Sequence, residues 1–119
     1  MTGPEFLTVL TTTDSAAKAQ ALARGAVGAR LAACAQVSAP VTSVYHWQGA
    51  IETTEEWQVL LKTTAACYEA LEAHLTAEHD YDTPEILAFP VVRGSAPYLA
   101  WLADETAPGD APEDPPDRA

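Results

Sequence analysis

Twenty-four of the 119 residues are alanine, which leaves 33 larger apolar side chains from which any core must be assembled. A chain of this length holds one domain and has no room for a second. Domains this small bury roughly 60 to 70% of the surface their unfolded chains expose, so an alanine-rich one gains by covering further apolar area with copies of itself. Self-association is therefore expected before any residue is singled out.

Charge narrows the choice of partner. Six Lys+Arg stand against seventeen Asp+Glu, a formal net charge of -11 with a pI near 4.3. Binding a phosphate backbone requires clustered cations, so nucleic acid and anionic membrane surfaces are excluded as expected partners, and cations are favoured. From Ala107 onward the composition turns to proline and acid without a large apolar side chain. Residues 107–119 are accordingly expected to form a disordered acidic Pro-rich tail, and residues 1–106 the folded domain. That domain still carries 13 acids and 5 bases, so the acidity is its own. No apolar run approaches the roughly 20 residues that span a bilayer, and Met1–Glu5 lacks the features of a secretory signal, so a cytoplasmic setting is expected. Cys34 and Cys67 form no C-x-x-C pair and are expected to be free thiols there.

The pattern of side chains predicts an order of elements. Phe6–Thr12 is β-branched and apolar, a buried strand. Asp14 or Ser15 then caps a helix reaching about Arg30, in which Gly25 and Gly28 suggest close packing against another backbone. Extended segments at 33–38 and 42–47 flank Pro40, Gln48-Gly49 offers a turn, and Trp57–Thr63 returns with Trp57, Val59 and Leu61 on one face. A second helix over 65–78 presents Tyr68, Leu71 and Leu75. A last strand follows Pro84 through Phe89, and a short helix spans 95–105. This is an α+β chain of ferredoxin-like β-α-β-β-α-β order, an antiparallel sheet with an extra C-terminal helix. Helices cover one face of such a sheet, and another subunit is the expected cover for the other.

Five motifs in order carry a resemblance. They are Arg30-Leu31-Ala32-Ala33-Cys34, Tyr45-His46-Trp47-Gln48-Gly49, Leu61-Lys62-Thr63, His79-Asp80-Tyr81-Asp82-Thr83-Pro84-Glu85-Ile86, and Gly94-Ser95 with Tyr98-Leu99-Ala100-Trp101-Leu102. Over about residues 6–106 the chain resembles the CutA divalent-cation-tolerance family. The resemblance implies a ferredoxin-like subunit in a tight homotrimer similar in architecture to PII signalling proteins. It also implies an association with copper and other divalent metal ions.

Candidate residues follow from chemistry and resemblance together. A Cys34 thiolate is a soft ligand suited to Cu(I) or Zn(II), although a free cysteine also packs well as a small hydrophobe. His79 brings an imidazole within a few residues of Asp80, Asp82 and Glu85, a mixed donor set; as the end of a helix it can equally serve the helix dipole. Cys34, His79 and Glu85 are the candidate metal ligands. Tyr45, Trp47, Lys62 and Tyr81 are the candidate lining of a ligand cleft, Tyr45 and Trp47 by resemblance lining the region between subunits. Lys62 has three expected roles: pairing with Glu85, holding an anion, or snorkelling from a strand end. Cys67, His74 and Glu78 share a helix face and are read as an incidental pairing.

Three functions are weighed on this basis. The first is a non-catalytic homotrimer that binds copper or another divalent metal ion in metal tolerance. The second is a PII-like trimeric regulator that binds a small molecule between subunits and relays it to a protein partner; the scarcity of cations argues against a nucleotide. The third, an enzyme with Cys34 as nucleophile and His79 as base, requires the two within hydrogen-bond reach.

Overall fold

A computed structural model describes residues 5–107. The acidic segment expected over 107–119 lies outside them except for Ala107, whose N–H donates to the Arg30 carbonyl oxygen at 2.9 Å.

The elements follow in the order β1 (Phe6–Thr13), α1 (Ala16–Gly28), β2 (Cys34–Val37), β3 (Val41–Trp47), β4 (Ala50–Thr64), α2 (Tyr68–Glu78), β5 (Ile86–Pro90) and α3 (Ala96–Asp104). The sheet is antiparallel throughout. Its strand order is β2-β4-β1-β5, with β3 paired to the first half of β4, which is the ferredoxin-like arrangement expected from the sequence.

Period-two alternation sorts the two faces. Leu7, Val9 and Thr11 of β1 and Val59, Leu61 and Thr63 of β4 are buried beneath the helices. From α1 the small side chains Ala19, Ala23 and Ala26 pack there with Leu22, and α2 contributes Leu71 and Leu75. The alanines let α1 lie close to the sheet. Ser15 caps α1 by accepting from the Lys18 N–H at 3.1 Å, and Ser95 caps α3 by accepting from the Tyr98 N–H. Thr64 caps a 3-10 turn, Ala65–Cys67, that precedes α2, so the expected helix start at 65 is reached through a tighter turn.

Two expectations are corrected. The return strand expected from Trp57 begins at Ala50, because the two-residue turn carries the chain straight back alongside β3. Both turn residues, Gln48 and Gly49, have positive φ, as a type I′ hairpin turn requires. The half of β4 over 50–55 is exposed on both faces, so its side chains show no apolar alternation. Gly25 does meet another element closely: a Cβ there would lie 3.2 Å from His74 Nε2. Gly28 meets nothing within 4 Å, and Gly25 meets the tip of a side chain, so the expected close packing against another backbone is found at neither.

Pro40 sits within a β-bulge. Val37 pairs with Val59 and Val41 with Glu56, so three residues, Ser38 to Pro40, oppose the two residues Trp57 and Gln58. Ser38 secures the irregularity, donating its N–H to the Gln58 carbonyl and accepting the Gln58 N–H on its hydroxyl, each at 2.9 Å. The bulge bends the chain between β2 and β3, where it enters the β3–β4 hairpin. The hairpin's apolar side chains Val44, Trp47 and Ile51 project into solvent from a single chain.

Candidate functional site

The bent hairpin, the end of β1 and the loop after α2 enclose a cleft of about 620 Å³. Tyr45 and Trp47 reach it from β3 and Tyr81 from the loop, so three of the four expected cleft residues meet there. Three carboxylates also line it, Glu56 from β4 and Asp82 and Glu85 from the loop, with no Lys or Arg among the lining residues.

His79 fixes the loop from below. Its side chain is fully buried, and both ring nitrogens are engaged. Nε2 lies 2.7 Å from the Thr12 carbonyl oxygen, and Nδ1 accepts the Tyr81 N–H at 3.1 Å. An acceptor at one nitrogen and a donor at the other define the neutral Nε2–H tautomer. The imidazole also packs on the Tyr81 ring, with centroids 4.6 Å apart. Tyr81 in turn donates its hydroxyl to Glu56 Oε2 at 2.8 Å. Burial, followed by the bond to Glu56 and the nearby carboxylate charges, holds the Tyr81 phenol far above its usual pKa, so it remains a donor.

Outside the cleft, Lys18 of α1 clasps the same loop, bonding Asp80 and, at 3.0 Å, Asp14. The Lys18 bond lowers the Asp80 carboxyl, and the bonds to Asp80 and Asp14 raise the Lys18 ammonium.

The remaining expected site residues lie elsewhere. Cys34 is part-exposed on β2, its Sγ 3.7 Å from the Tyr98 hydroxyl of α3. That thiol, with a smaller contribution from burial, raises the Tyr98 phenol. Lys62 is the cross-strand partner of Cys34 and donates to Gln36 Oε1 at 3.1 Å, so neither Glu85 nor the cleft engages it within the subunit. The pairing Cys34↔Lys62↔Thr8 sets Cys34 two strands away from β1 and four residues along from Thr12, about 10 Å across and about 13 Å along the sheet. Cys34, His79 and Glu85 are therefore not brought together in one subunit. Among the described residues no three His, Cys, Asp or Glu side chains group to hold a metal ion.

Ser43, Val44 and Thr83 also line the cleft without having been expected there, and two further residues, Glu56 and Thr12, matter more to its chemistry. Glu56 sits in a run of exposed acids and threonines, and only the register of β4, which puts it two residues from Gln58 on the face that carries Thr12, marks it as a cleft residue. Thr12 continues a buried β-branched strand; its position opposite Gln58, between the inward-facing Thr11 and Thr13, is the signal that its side chain faces the cleft.

Comparison with known proteins places the geometry in context. Residues 7–105 match the family model described as CutA1 divalent ion tolerance protein. Divalent-cation tolerance proteins CutA from Citrobacter koseri and Salmonella newport are each 43% identical over 99 residues, covering 83% of this chain and 86% of theirs. Among solved structures, the divalent cation tolerance protein of Thermus thermophilus superposes with a TM-score of 0.84 at 37% identity, covering 86% of this chain and 99% of that one. CutA1 from Oryza sativa gives 0.85 at 33% identity, covering 87% and 95%.

Proposed function

The chain belongs to the CutA1 divalent ion tolerance family, and on that premise we propose that it serves metal tolerance as a non-catalytic homotrimer that binds divalent cations in the acidic cleft. The observation that carries this reading is that Glu56, Asp82 and Glu85 all line one cleft with no basic residue beside them, although they do not group closely enough to serve as three ligands of one ion. Oxygen donors suit hard divalent ions, which keep several waters and need only one or two carboxylates.

Copper fits less directly. Cys34 stands apart from His79, and the hydrogen bonds of His79 occupy both of its nitrogens, so a soft-metal site at Cys34 needs donors from another subunit. The same separation argues against Cys–His catalysis, which needs the pair in hydrogen-bond contact. Exposed Val44, Trp47, Ile51, Leu87 and Phe89 supply the apolar area for association, more than isolated surface side chains would.

Calorimetric titration of the intact protein with Mn(II), Zn(II) and Cu(II) tests the reading. Glu56→Gln with Glu85→Gln is expected to weaken Mn(II) and Zn(II) at least tenfold and Cys34→Ser to leave them unchanged. Loss of binding in Cys34→Ser with no effect of the glutamates would return the site to the thiol.

A second reading has its own support. The cleft is far larger than an ion and walled by three aromatic rings, the form of a small-molecule site. A trimeric regulator of PII type would use it so.

A further inference from the structure

We infer that the cleft recognises an organic ammonium, a primary or secondary amine carrying an apolar or aromatic body. This inference deepens the small-molecule reading and rests on it.

Glu56 is 9% exposed, its one hydrogen bond comes from the Tyr81 hydroxyl at 2.8 Å, and its charge has no cationic partner among the described residues. A buried carboxylate is costly without a counter-charge, and one neutral hydroxyl supplies only part of what a cation would. Thr12 is 5% exposed and lines the same cleft. A threonine hydroxyl in a cleft wall can donate to or accept from a ligand. Glu56 and Thr12 thus offer one charge and one oxygen acceptor at the wall of a single cavity.

The rest of the lining selects the kind of cation. Tyr45, Trp47 and Tyr81 present aromatic surface, which attracts ammonium groups through the ring quadrupole and covers apolar bodies by burial. Asp82 and Glu85 add negative potential near the opening. No lysine or arginine is present to hold a carboxylate or phosphate, so anions are excluded by charge. An N–H-bearing cation uses both Glu56 and Thr12, whereas a quaternary ammonium could not donate to either.

Calorimetry with three probes of one shape tests this: 2-phenylethylamine, 2-phenylethanol and phenylacetate, each titrated into the intact protein and into two variants. The amine is expected to bind at least tenfold more tightly than the alcohol, and phenylacetate not to bind. Glu56→Gln should remove the preference for the amine while leaving weak alcohol binding, and Trp47→Ala should weaken both. Equal binding of amine and alcohol, or binding of phenylacetate, overturns the ammonium assignment while the small-molecule site stands. No binding by any probe overturns the small-molecule reading and the assignment with it. A circular dichroism spectrum and a sedimentation coefficient of each variant identical to the parent confirm that neither folding nor subunit association is the cause.

Discussion

Tyr81 and Glu56 form the bond on which the cleft is built. Tyr81→Phe removes the donor and leaves a buried carboxylate oxygen unmet, which costs about 1 to 3 kcal/mol in urea denaturation. The Tyr81 phenol is raised by burial first and by Glu56 second, so its stabilisation is fully present below the ordinary tyrosine pKa and is lost only as pH rises through the raised value. The cost of Tyr81→Phe is therefore expected to stay constant between about pH 6 and 9; a cost that shrinks across that window would place the proton elsewhere. Lys18 and Asp80 behave differently. The Asp80 carboxyl is lowered by Lys18, so the clasp contributes above the ordinary aspartate pKa and is lost as pH falls through the lowered value. Lys18→Met is expected to lower the midpoint slightly at pH 8, because both groups are exposed, and to make the loss on acidification shallower by that same small amount, measured as midpoint against pH.

At the scale of elements, the sequence displayed what burial enforces. Val59 and Leu61 alternate because one face of β4 meets the helices, and Leu71 and Leu75 recur because one face of α2 meets the sheet. The half of β4 over 50–55 was illegible for the converse reason: exposed on both faces in one chain, it leaves no pattern of periodic burial. The bulge at Pro40 was equally hidden, because a proline between two strands announces an interruption without giving the count of residues on the other side. The glycines of α1 make a direct test. Gly28→Ala is expected to stabilise by about 0.5 to 1 kcal/mol through helix propensity, since nothing stands in the way of its Cβ. Gly25→Ala places a methyl 3.2 Å from His74 Nε2 and should fall below Gly28→Ala in thermal midpoint. Equal gains in the two variants would show that α1 and α2 are not held at this separation.

For the molecule as a whole, the alanine-rich composition and the exposed apolar face express one fact. The core between helices and sheet is closed with many alanines beside Leu7, Val9, Leu22, Val59, Leu61, Leu71 and Leu75, and Leu87 and Phe89 of β5 with Val44, Trp47 and Ile51 of the hairpin remain exposed in a single chain. Ile51→Glu is expected to shift the protein from trimer to monomer in sedimentation velocity with its far-ultraviolet spectrum retained. A trimer that survives the substitution would move the interface away from the hairpin tip. Tyr45, Trp47, Tyr81 and Glu85 were legible as site candidates, yet motif order could not tell that Cys34 and Lys62 lie at the opposite end of the sheet. Strand register decides that, and it appears only in the folded chain.

Native mass spectrometry of the intact protein titrated with Zn(II), beside the Glu56→Gln, Glu85→Gln double variant, bears most directly on the proposed binding of divalent cations by a trimeric acidic cleft. The account predicts a trimer that takes up Zn(II) in proportion to its subunits and a trimeric variant that does not. A trimer that binds Zn(II) equally with and without the two glutamates, or that binds none, would contradict it.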